Sequence, residues 1–304
     1  MPDDREHGPL DVTTAPPRGA ATSDARAGAG APPDDEGALP PRTQRAALVR
    51  RRGATHATAV AELAEETAIA LEFNGIAGAV MLATPADLED FAVGFALTEG
   101  IVERASEIYA VEPRVSARGL TLEIDLAAEA FQRMKARRRV LAGRTGCGLC
   151  GIDSLEQAIR PLPPRFGRGR TVHAAAFARA LRALGPLQPL HAATGASHAV
   201  AFCDVNGEVV LLREDVGRHN ALDKLVGALA RSRTDAENGF ILVTSRASTE
   251  MVQKAAMARA TILVAASAPT AAATRIAAEA GLTLAGFARG DDFNLYAHPE
   301  RVLA

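Results

Sequence analysis

Cysteine, net charge and long apolar runs are all scarce in this sequence. The 304 residues include only 3 Cys, too few for a disulfide framework, so we expect a protein of a reducing compartment, the cytoplasm. Lys and Arg number 34 against 36 Asp and Glu, a formal net charge of -2. This balance excludes a polyanion binder held by bulk charge, and we predict no nucleic-acid partner.

Apolar runs are too short to cross a membrane. The longest charge-free stretches are Phe73–Ala86 and Ala260–Thr274, and Pro269 interrupts the second. Both fall short of the ~20 residues that a bilayer-spanning helix needs. The N-terminal residues MPDDREHGPL are acidic where a signal peptide would be basic. We therefore expect a soluble protein with no membrane insertion.

Composition divides the chain into three parts. Almost half of residues 1–45 are Ala, Pro or Gly, and none is aromatic; such a segment cannot bury enough apolar surface to fold, so we predict a disordered tail. Residues 46–142 alternate apolar and polar positions around Asn74-Gly75 and Arg118-Gly119, which predicts a β-rich part with helices. In residues 143–304 a cysteine segment precedes alternating short strands and helices, which predicts an α/β domain.

Local signals place several elements of these parts. Pro85 is expected at the first position of a helix over Ala86–Glu99, and Asn206-Gly207 predicts a second hairpin. Val172–Leu184 and His219–Arg231 are expected to be helices. Ligands of α/β sheets bind at the carboxyl ends of strands. Functional residues are therefore expected in the loops after these strand ends: Arg213, Thr244, Ala266 and Phe287.

Two cysteines lie in the glycine-rich segment Gly143–Gly151 (GRTGCGLCG). A Cys-x-x-Cys pair serves as half of a zinc site, as a dithiol redox couple, or as a nucleophilic sulfur with a neighbour. The glycines beside Cys147 and Cys150 leave room for another molecule. A helix start near Asp153, together with Arg144, would lower the pKa of these thiols and favour thiolate chemistry.

The remaining potential metal ligands are scattered. Cys203 lies in the apolar run AVAFCDV and is expected to be a core residue. The histidines stand apart along the sequence, without the paired spacing of a zinc site. We therefore predict no metal site.

Four motifs occur in a fixed order along the chain: Gly143–Gly151, Arg213–Gly227 (REDVGRHNALDKLVG), Thr244–Ala255 (TSRASTEMVQKA) and Gly286–Tyr296 (GFARGDDFNLY). Together they closely resemble the formate dehydrogenase accessory sulfurtransferase family. Two shorter segments, Gly94–Ile101 (GFALTEGI) and Thr194–Ala199 (TGASHA), fit the family as well, and the resemblance covers roughly residues 55–304.

The resemblance implies a fold and a function. The fold would be a three-layer α/β/α domain similar to cytidine deaminases, with an added N-terminal β-rich subdomain, in a homodimer. The function would be that of a sulfurtransferase, or sulfur carrier, which accepts sulfur from a cysteine desulfurase as a persulfide on Cys147, with Cys150 as its motif partner. The sulfur would pass to the bis-molybdopterin guanine dinucleotide cofactor of formate dehydrogenase. The cofactor-contacting residues would be Phe287, Ala288, Arg289, Gly290, Asp291 and Asp292.

The residues themselves support part of this assignment. Phe287–Asp292 is expected to be a loop at a strand end, where nucleotides dock. In it Arg289 could pair with a phosphate, Gly290 permits close approach, and Asp291 or Asp292 could accept from a guanine edge. An ordinary charged surface loop is the alternative.

Other interpretations stay open at this point. The charges of Arg213–Lys224 indicate a solvated face or an ion-pair network, or else Arg218 or His219 contacts the pterin or its phosphates. Ser245–Ser248 is either an anion site or a simple helix cap. For the whole protein, the alternatives are a thiol–disulfide oxidoreductase that uses Cys147 and Cys150, and a non-catalytic chaperone of the molybdenum cofactor. No deaminase-type zinc ligands are present, so the fold would not imply deaminase chemistry.

Overall fold

The computed structural model describes residues 38–117, 119–142 and 169–304. A two-stranded antiparallel ribbon comes first, in which β1 (Thr43–Arg52) pairs with β2 (Thr55–Ala64). β1 begins inside the segment 1–45 that the composition predicts to be disordered, because residues 43–45 pair with residues 62–64 of β2; residues 1–37 lie outside the described residues. Within the described ranges, no helix combines the length and the apolar character needed to span a bilayer.

A four-stranded sheet and two helices follow. The strand order is β4-β3-β6-β5, with β3 and β6 parallel and the other neighbours antiparallel. Alternate side chains of β3 reach the core, where Leu71 packs with Phe91 of the first helix. Asn74-Gly75 turns between β3 and β4 with positive φ at both residues, which confirms that predicted hairpin. The elements are β3 (Thr67–Phe73), β4 (Ile76–Ala83), α1 (Leu88–Thr98), β5 (Ile108–Ser116), β6 (Gly119–Leu126) and α2 (Ala128–Ala142).

The second half of the described chain forms a six-stranded mixed sheet. Its order is β13-β12-β11-β10-β8-β9, and β10, β11 and β12 run parallel. The strands of this sheet are β8 (His198–Asp204), β9 (Val209–Asp215), β10 (Gly239–Val243), β11 (Ile262–Ala265), β12 (Thr283–Arg289) and β13 (Asp292–Ala297). The helices are α3 (Ala174–Leu184), α4 (Pro189–Thr194), α5 (Arg218–Arg231), α6 (Thr249–Met257) and α7 (Ala271–Ala280), and a short pair β7 (Val172–His173) and β14 (Val302–Leu303) lies beside them.

Helices cover both faces of the six-stranded sheet. Along β10, Ile241 and Val243 pack with residues of α5, α6 and α7, whereas Phe240 packs on Phe177 of α3 at 4.9 Å between ring centroids. This period of two is what a strand buried on both faces requires. The α/β class is confirmed, and the finer similarity to cytidine deaminases stays a prediction.

Two helix boundaries differ from the sequence-based expectation. The helix expected over Val172–Leu184 begins only at Ala174, because the two residues before it pair with β14. α1 begins at Leu88 rather than Ala86, because Asp87 adopts the left-handed conformation, with φ of 52°, and serves as its N-cap. Both differences come from contacts or backbone geometry that the local pattern does not encode.

Candidate functional site

The carboxyl ends of β10, β11 and β12 form one edge of the sheet, and hydrogen bonds link the loops that leave it. The amide of Thr270 donates to the carbonyl of Ala247 at 3.0 Å, and the amide of Phe287 donates to the carbonyl of Ser267 at 3.1 Å. The amide of Ala199, at the start of β8, donates to Thr244 Oγ1 at 3.0 Å. These hydrogen bonds therefore join the loops at the carboxyl ends of the strands into one continuous set, from β12 to β8.

Three hydroxyl groups on this edge form hydrogen bonds within the protein. Ser248 caps α6 by accepting from the amide of Met251, and Thr270 caps α7 in the same way. Ser245 is buried and donates to the carbonyl of Arg246 at 3.1 Å. Of the two interpretations of Ser245–Ser248, the cap is what the structure shows for Ser248.

A cluster of basic side chains lies at the β8 end of this edge. Arg218 and His219 form the first two residues of α5, and His198 begins β8. His219 Nε2 lies 3.2 Å from Glu250 Oε2 and 3.4 Å from Ser248 Oγ, and its side chain is 26% exposed. Arg218 Nε is buried and has no hydrogen-bond partner among the described residues.

Burial and positive charge disfavour protonation in this basic cluster. Burial lowers the pKa of His219, whereas the carboxylate of Glu250 raises it. The nearby basic groups of Arg218, Lys254 and His198 lower it further. Burial, Arg218 and His191 likewise lower the pKa of His198. His198 and His219 stand far apart in the sequence, whereas the fold brings them into one cluster. The sequence signal that the two share is their place in family motifs: His198 lies in Thr194–Ala199 and His219 in Arg213–Gly227.

The same stretch that supplies Arg218 and His219 also supplies a fully buried ion pair. Lys224 Nζ lies 2.6 Å from Asp215 Oδ2, and both side chains are 0% exposed. Lys224 Nζ also donates to the carbonyl of Thr84, and the Thr84 amide donates to Asp215 Oδ2 at 3.0 Å. Thr84 directly follows β4, so this pair connects the four-stranded sheet, called the first sheet below, to α5.

A second buried pair ties α5 and α6 to α1. Lys254 Nζ lies 2.9 Å from Asp223 Oδ1 and 2.9 Å from Glu99 Oε1. Thr98 Oγ1 donates to Asp223 Oδ1 at 2.6 Å. Although burial lowers the pKa of Lys254, the carboxylates of Asp223 and Glu99 raise it overall. The lysine is therefore held as a cation in the interior.

The remaining acidic and basic groups of the motif are also structural. Arg213 pairs with Asp90 of α1 at 2.6 Å. Glu214 accepts from the amides of Leu190 and His191 at 2.9 and 2.8 Å; its negative charge at the first turn of α4 is favourable. The ion-pair interpretation therefore fits most charges of this motif. His219 contacts the partly exposed Glu250, and Arg218 Nε is the exception among the described residues.

The predicted cofactor-contacting segment is a β-hairpin rather than a loop. Residues 287–289 complete β12, and Asp292 opens β13. Phe287 has φ of 53° and is 44% exposed, whereas Ala288 is buried in the core. Arg289, Gly290, Asp291 and Asp292 are exposed. Asp291 forms an ion pair with Arg182 of α3 at 3.2 Å.

Of the three cysteines, Cys203 is the one that the structure describes. Cys147 and Cys150 lie outside the described residues. Cys203 is buried under α3 as predicted, and burial raises the pKa of its thiol to about 12, so it is inert as a nucleophile. Among the described residues, no group of three or more His, Cys, Asp or Glu side chains is arranged to hold a metal ion.

Comparison with known proteins decides the family. The model of the FdhD/NarQ family matches residues 64–303. The chain belongs to the FdhD/NarQ family. The match includes the basic cluster, both buried ion pairs and the β12–β13 hairpin.

Close relatives of the chain in the FdhD/NarQ family share a name. This chain is 59% identical over 240 residues to the sulfur carrier protein FdhD of Variovorax paradoxus (strain S110), an alignment that covers 79% of this chain and 86% of the relative. It is 50% identical over 259 residues to the sulfur carrier protein FdhD of Bordetella petrii, covering 84% and 93%. A crystal structure named as a formate dehydrogenase accessory protein from Desulfotalea psychrophila has a TM-score of 0.69 at 23% identity, covering 86% of this chain and 100% of that one. That last similarity concerns the fold.

Proposed function

We propose that this protein is a sulfur carrier with sulfurtransferase activity in the maturation of formate dehydrogenase. The observation that carries the proposal is its identity of 50 to 59% with relatives named sulfur carrier protein FdhD. That similarity extends over at least 79% of this chain. At such identity the proposal rests on whole domains rather than on a single motif.

Cys147 is the proposed sulfur-carrying residue, with Cys150 as its motif partner. In the loading step the Cys147 thiolate attacks the outer sulfur of a persulfide on a cysteine desulfurase. The new S–S bond forms as the donor's S–S bond breaks, and the donor cysteine leaves as a thiolate, so no net oxidation occurs. In the transfer step the S–S bond of the persulfide breaks, Cys147 leaves as a thiolate, and the outer sulfur goes to the substrate, bis-molybdopterin guanine dinucleotide. The metal of that substrate would supply the two electrons that bring the sulfur to the sulfide level.

The β12–β13 hairpin is the proposed contact for the guanine nucleotide part of that substrate. Phe287 offers an exposed ring for stacking against a base. Arg289 is exposed and suits a phosphate, and Asp292 could accept hydrogen bonds from a guanine edge. Because Ala288 is buried, we assign it only a backbone role.

The proposal is tested by mass spectrometry after incubating the full chain with a cysteine desulfurase and cysteine. We expect one additional sulfur atom on the peptide that carries Cys147. The Cys203 peptide is the internal control, because its thiol is buried and should stay unmodified. Loss of two hydrogens across Cys147 and Cys150 would instead favour the oxidoreductase. No change would favour the chaperone and overturn the proposal.

A second test asks whether Cys147 is needed in the cell. Cys147→Ala should fail to restore formate dehydrogenase activity to a strain that lacks the native protein, while the variant remains folded. Full restoration by this variant would contradict the proposal. Cys203→Ser is unsuitable as a control because it places a hydroxyl in the core, so the wild-type chain serves.

A further inference from the structure

We propose that Arg218, His219 and His198 form an oxyanion-binding site that takes a phosphate group. The inference rests on the proposed function for the identity of the natural ligand, where the phosphate would belong to the dinucleotide substrate. It rests on the structure for the site itself. The three residues come from two elements, the first turn of α5 and the start of β8, which meet at the carboxyl edge of the sheet.

Arg218 is the first reason to expect a ligand here. Its Nε is one of two buried side-chain nitrogen or oxygen atoms of the described residues without a hydrogen-bond partner. Buried donors are nearly always satisfied, and an unsatisfied one costs stability unless a ligand completes it. Elsewhere in the described chain Arg133, Arg213 and Arg231 each pair with a carboxylate.

Charge balance is the second reason. The charged groups that face His219 are Glu250 and Lys254 from α6, Arg218 from α5 and His198 from β8. Glu250 is the carboxylate among them, and its side chain is 53% exposed. The groups that face His198 are Arg218 and His191. Lys254 is already paired with Asp223 and Glu99, so at His219 the charge of Arg218 stands against that of Glu250. At His198 the groups that face the imidazole are both basic, so positive charge outweighs negative charge there.

The start of α5 adds to this imbalance. Its N-cap is Gly217, which has no side chain to accept from the first amides, whereas Ser248 and Thr270 cap α6 and α7. The positive end of the helix dipole therefore adds to the charge of Arg218. A guanidinium beside imidazoles that carry N–H donors favours a tetrahedral oxyanion over a metal cation, and more strongly as pH falls and the imidazoles gain protons.

Position links the oxyanion site to the proposed nucleotide contact. β12, which ends in the hairpin, is separated from β8 by β11 and β10 in the sheet order. Three strand spacings of ~4.8 Å separate β12 from β8 by about 14 Å. The two contacts could therefore hold different parts of one elongated ligand.

Histidine NMR of the full chain with sulfate as the probe tests the site. Sulfate stays a dianion between pH 5.5 and 8, so any pH dependence of binding reports on the protein. We expect sulfate to shift the His198 and His219 resonances, to raise both pKa values, and to bind about tenfold more tightly at pH 5.5 than at pH 8. Shifts confined to other histidines would overturn the proposal.

Arg218→Gln makes the test specific. Without sulfate, removal of the Arg218 charge should raise the pKa of both His198 and His219. Sulfate and inorganic pyrophosphate should each bind at least tenfold more weakly, and Arg218→Lys should fall between the variant and the wild type. Arg114→Gln is the matched control, because Arg114 lies in the first sheet and pairs with Glu123. Undiminished binding by Arg218→Gln would refute the site.

These outcomes are separable from those of the proposed function. A protein that binds sulfate at the basic cluster but never acquires a persulfide on Cys147 would keep this site and lose the sulfur-carrier proposal. A protein that acquires the persulfide but binds no sulfate there would keep the carrier proposal and lose this site.

Discussion

The motif Arg213–Gly227 contains two sets of charged side chains that differ in their position and in their pairing. Asp215 and Asp223 are buried, each paired with a lysine and tied to residues of the first sheet or α1. Arg218 and His219 lie between them in the sequence but at the sheet edge, where Arg218 Nε has no partner among the described residues. A motif that looks uniformly charged in sequence therefore has a structural part and a part available to a ligand.

Helix geometry separates the two sets. Asn220, Asp223, Lys224 and Gly227 recur about one helical turn apart, so they share one face of α5. Asp223 and Gly227 contact α1, and Asn220 and Lys224 bond to Leu82 and Thr84 at the end of β4. Arg218 and His219 belong to the first turn, where the helix meets the edge of the sheet. Buried charges persist only when paired, so the first set should govern stability and the second should govern binding.

The largest effect is expected from Asp223→Ala. It leaves Lys254 buried without that partner, and breaking a buried pair costs about 3–5 kcal/mol. Urea unfolding at pH 7.5 measures the loss. The double variant Asp223→Leu/Lys254→Met should recover much of it, because it removes both charges of this buried pair and leaves only the partly exposed Glu99 without its lysine. A loss below about 1 kcal/mol for Asp223→Ala would remove the distinction between the two sets.

Arg289→Ala extends the comparison to the hairpin. Arg289 is exposed, so its loss should leave the urea midpoint unchanged. GDP binding should weaken about ten- to a hundredfold, because a charge-assisted phosphate contact is worth roughly 1.5–3 kcal/mol. Calorimetric titration measures this, and Cys147→Ala should bind GDP like the wild type. Equal affinity of Arg289→Ala and the wild type would show that Arg289 is no phosphate ligand.

Gly94→Ala probes how closely the structural face packs. A Cβ at Gly94 of α1 would collide with the backbone carbonyl of Asp223, and one at Gly227 would collide with that of Asp90. The helices must separate to accept the methyl group, which costs about 1–3 kcal/mol. Gly185→Ala is the control, because a Cβ there meets nothing within 4 Å. Equal unfolding midpoints for the two variants would contradict the close approach.

The sequence predicted what depends on local chemistry. Asn74-Gly75 and Asn206-Gly207 marked turns between strands that the structure contains, because the left-handed conformation such turns need is local to those residues. The pairing of Asp215 with Thr84 joins positions 131 residues apart, and no local pattern encodes it. The sequence therefore indicates an ion-pair network in Arg213–Lys224 as one interpretation, but it does not identify the residues that pair.

The basic cluster was predictable only in part. The charge-rich stretch Arg213–Lys224 allows Arg218 or His219 to contact the pterin or its phosphates. No such contact is indicated for His198, since it precedes a strand by sequence and lies far from His219. Antiparallel pairing of β8 with β10 brings the start of β8 to the carboxyl edge, and that pairing is a property of the sheet.

A smaller, pH-dependent effect should come from the histidines. The pKa values of His198 and His219 lie below 6.5 in the folded protein, so the folded state binds fewer protons than the unfolded chain as pH falls below neutral. Stability is therefore present above pH 6.5 and lost as pH drops through the folded pKa values. The urea midpoint should fall between pH 7.5 and 5.5, and less so in His198→Asn/His219→Asn. An equal fall in both would assign the effect to other groups.

The smallest effect on stability is expected from Arg218→Gln. Arg218 is flanked in the motif by charges whose loss is costly, yet its Nε is buried without a partner among the described residues. Removing an unsatisfied donor takes away a cost rather than a contact, so the free energy of unfolding should change by no more than about 0.5 kcal/mol. Measured beside Asp223→Ala under the same conditions, this variant separates the two sets within one helix. A loss above about 2 kcal/mol would mean that Arg218 supports the fold and belongs with the buried pairs.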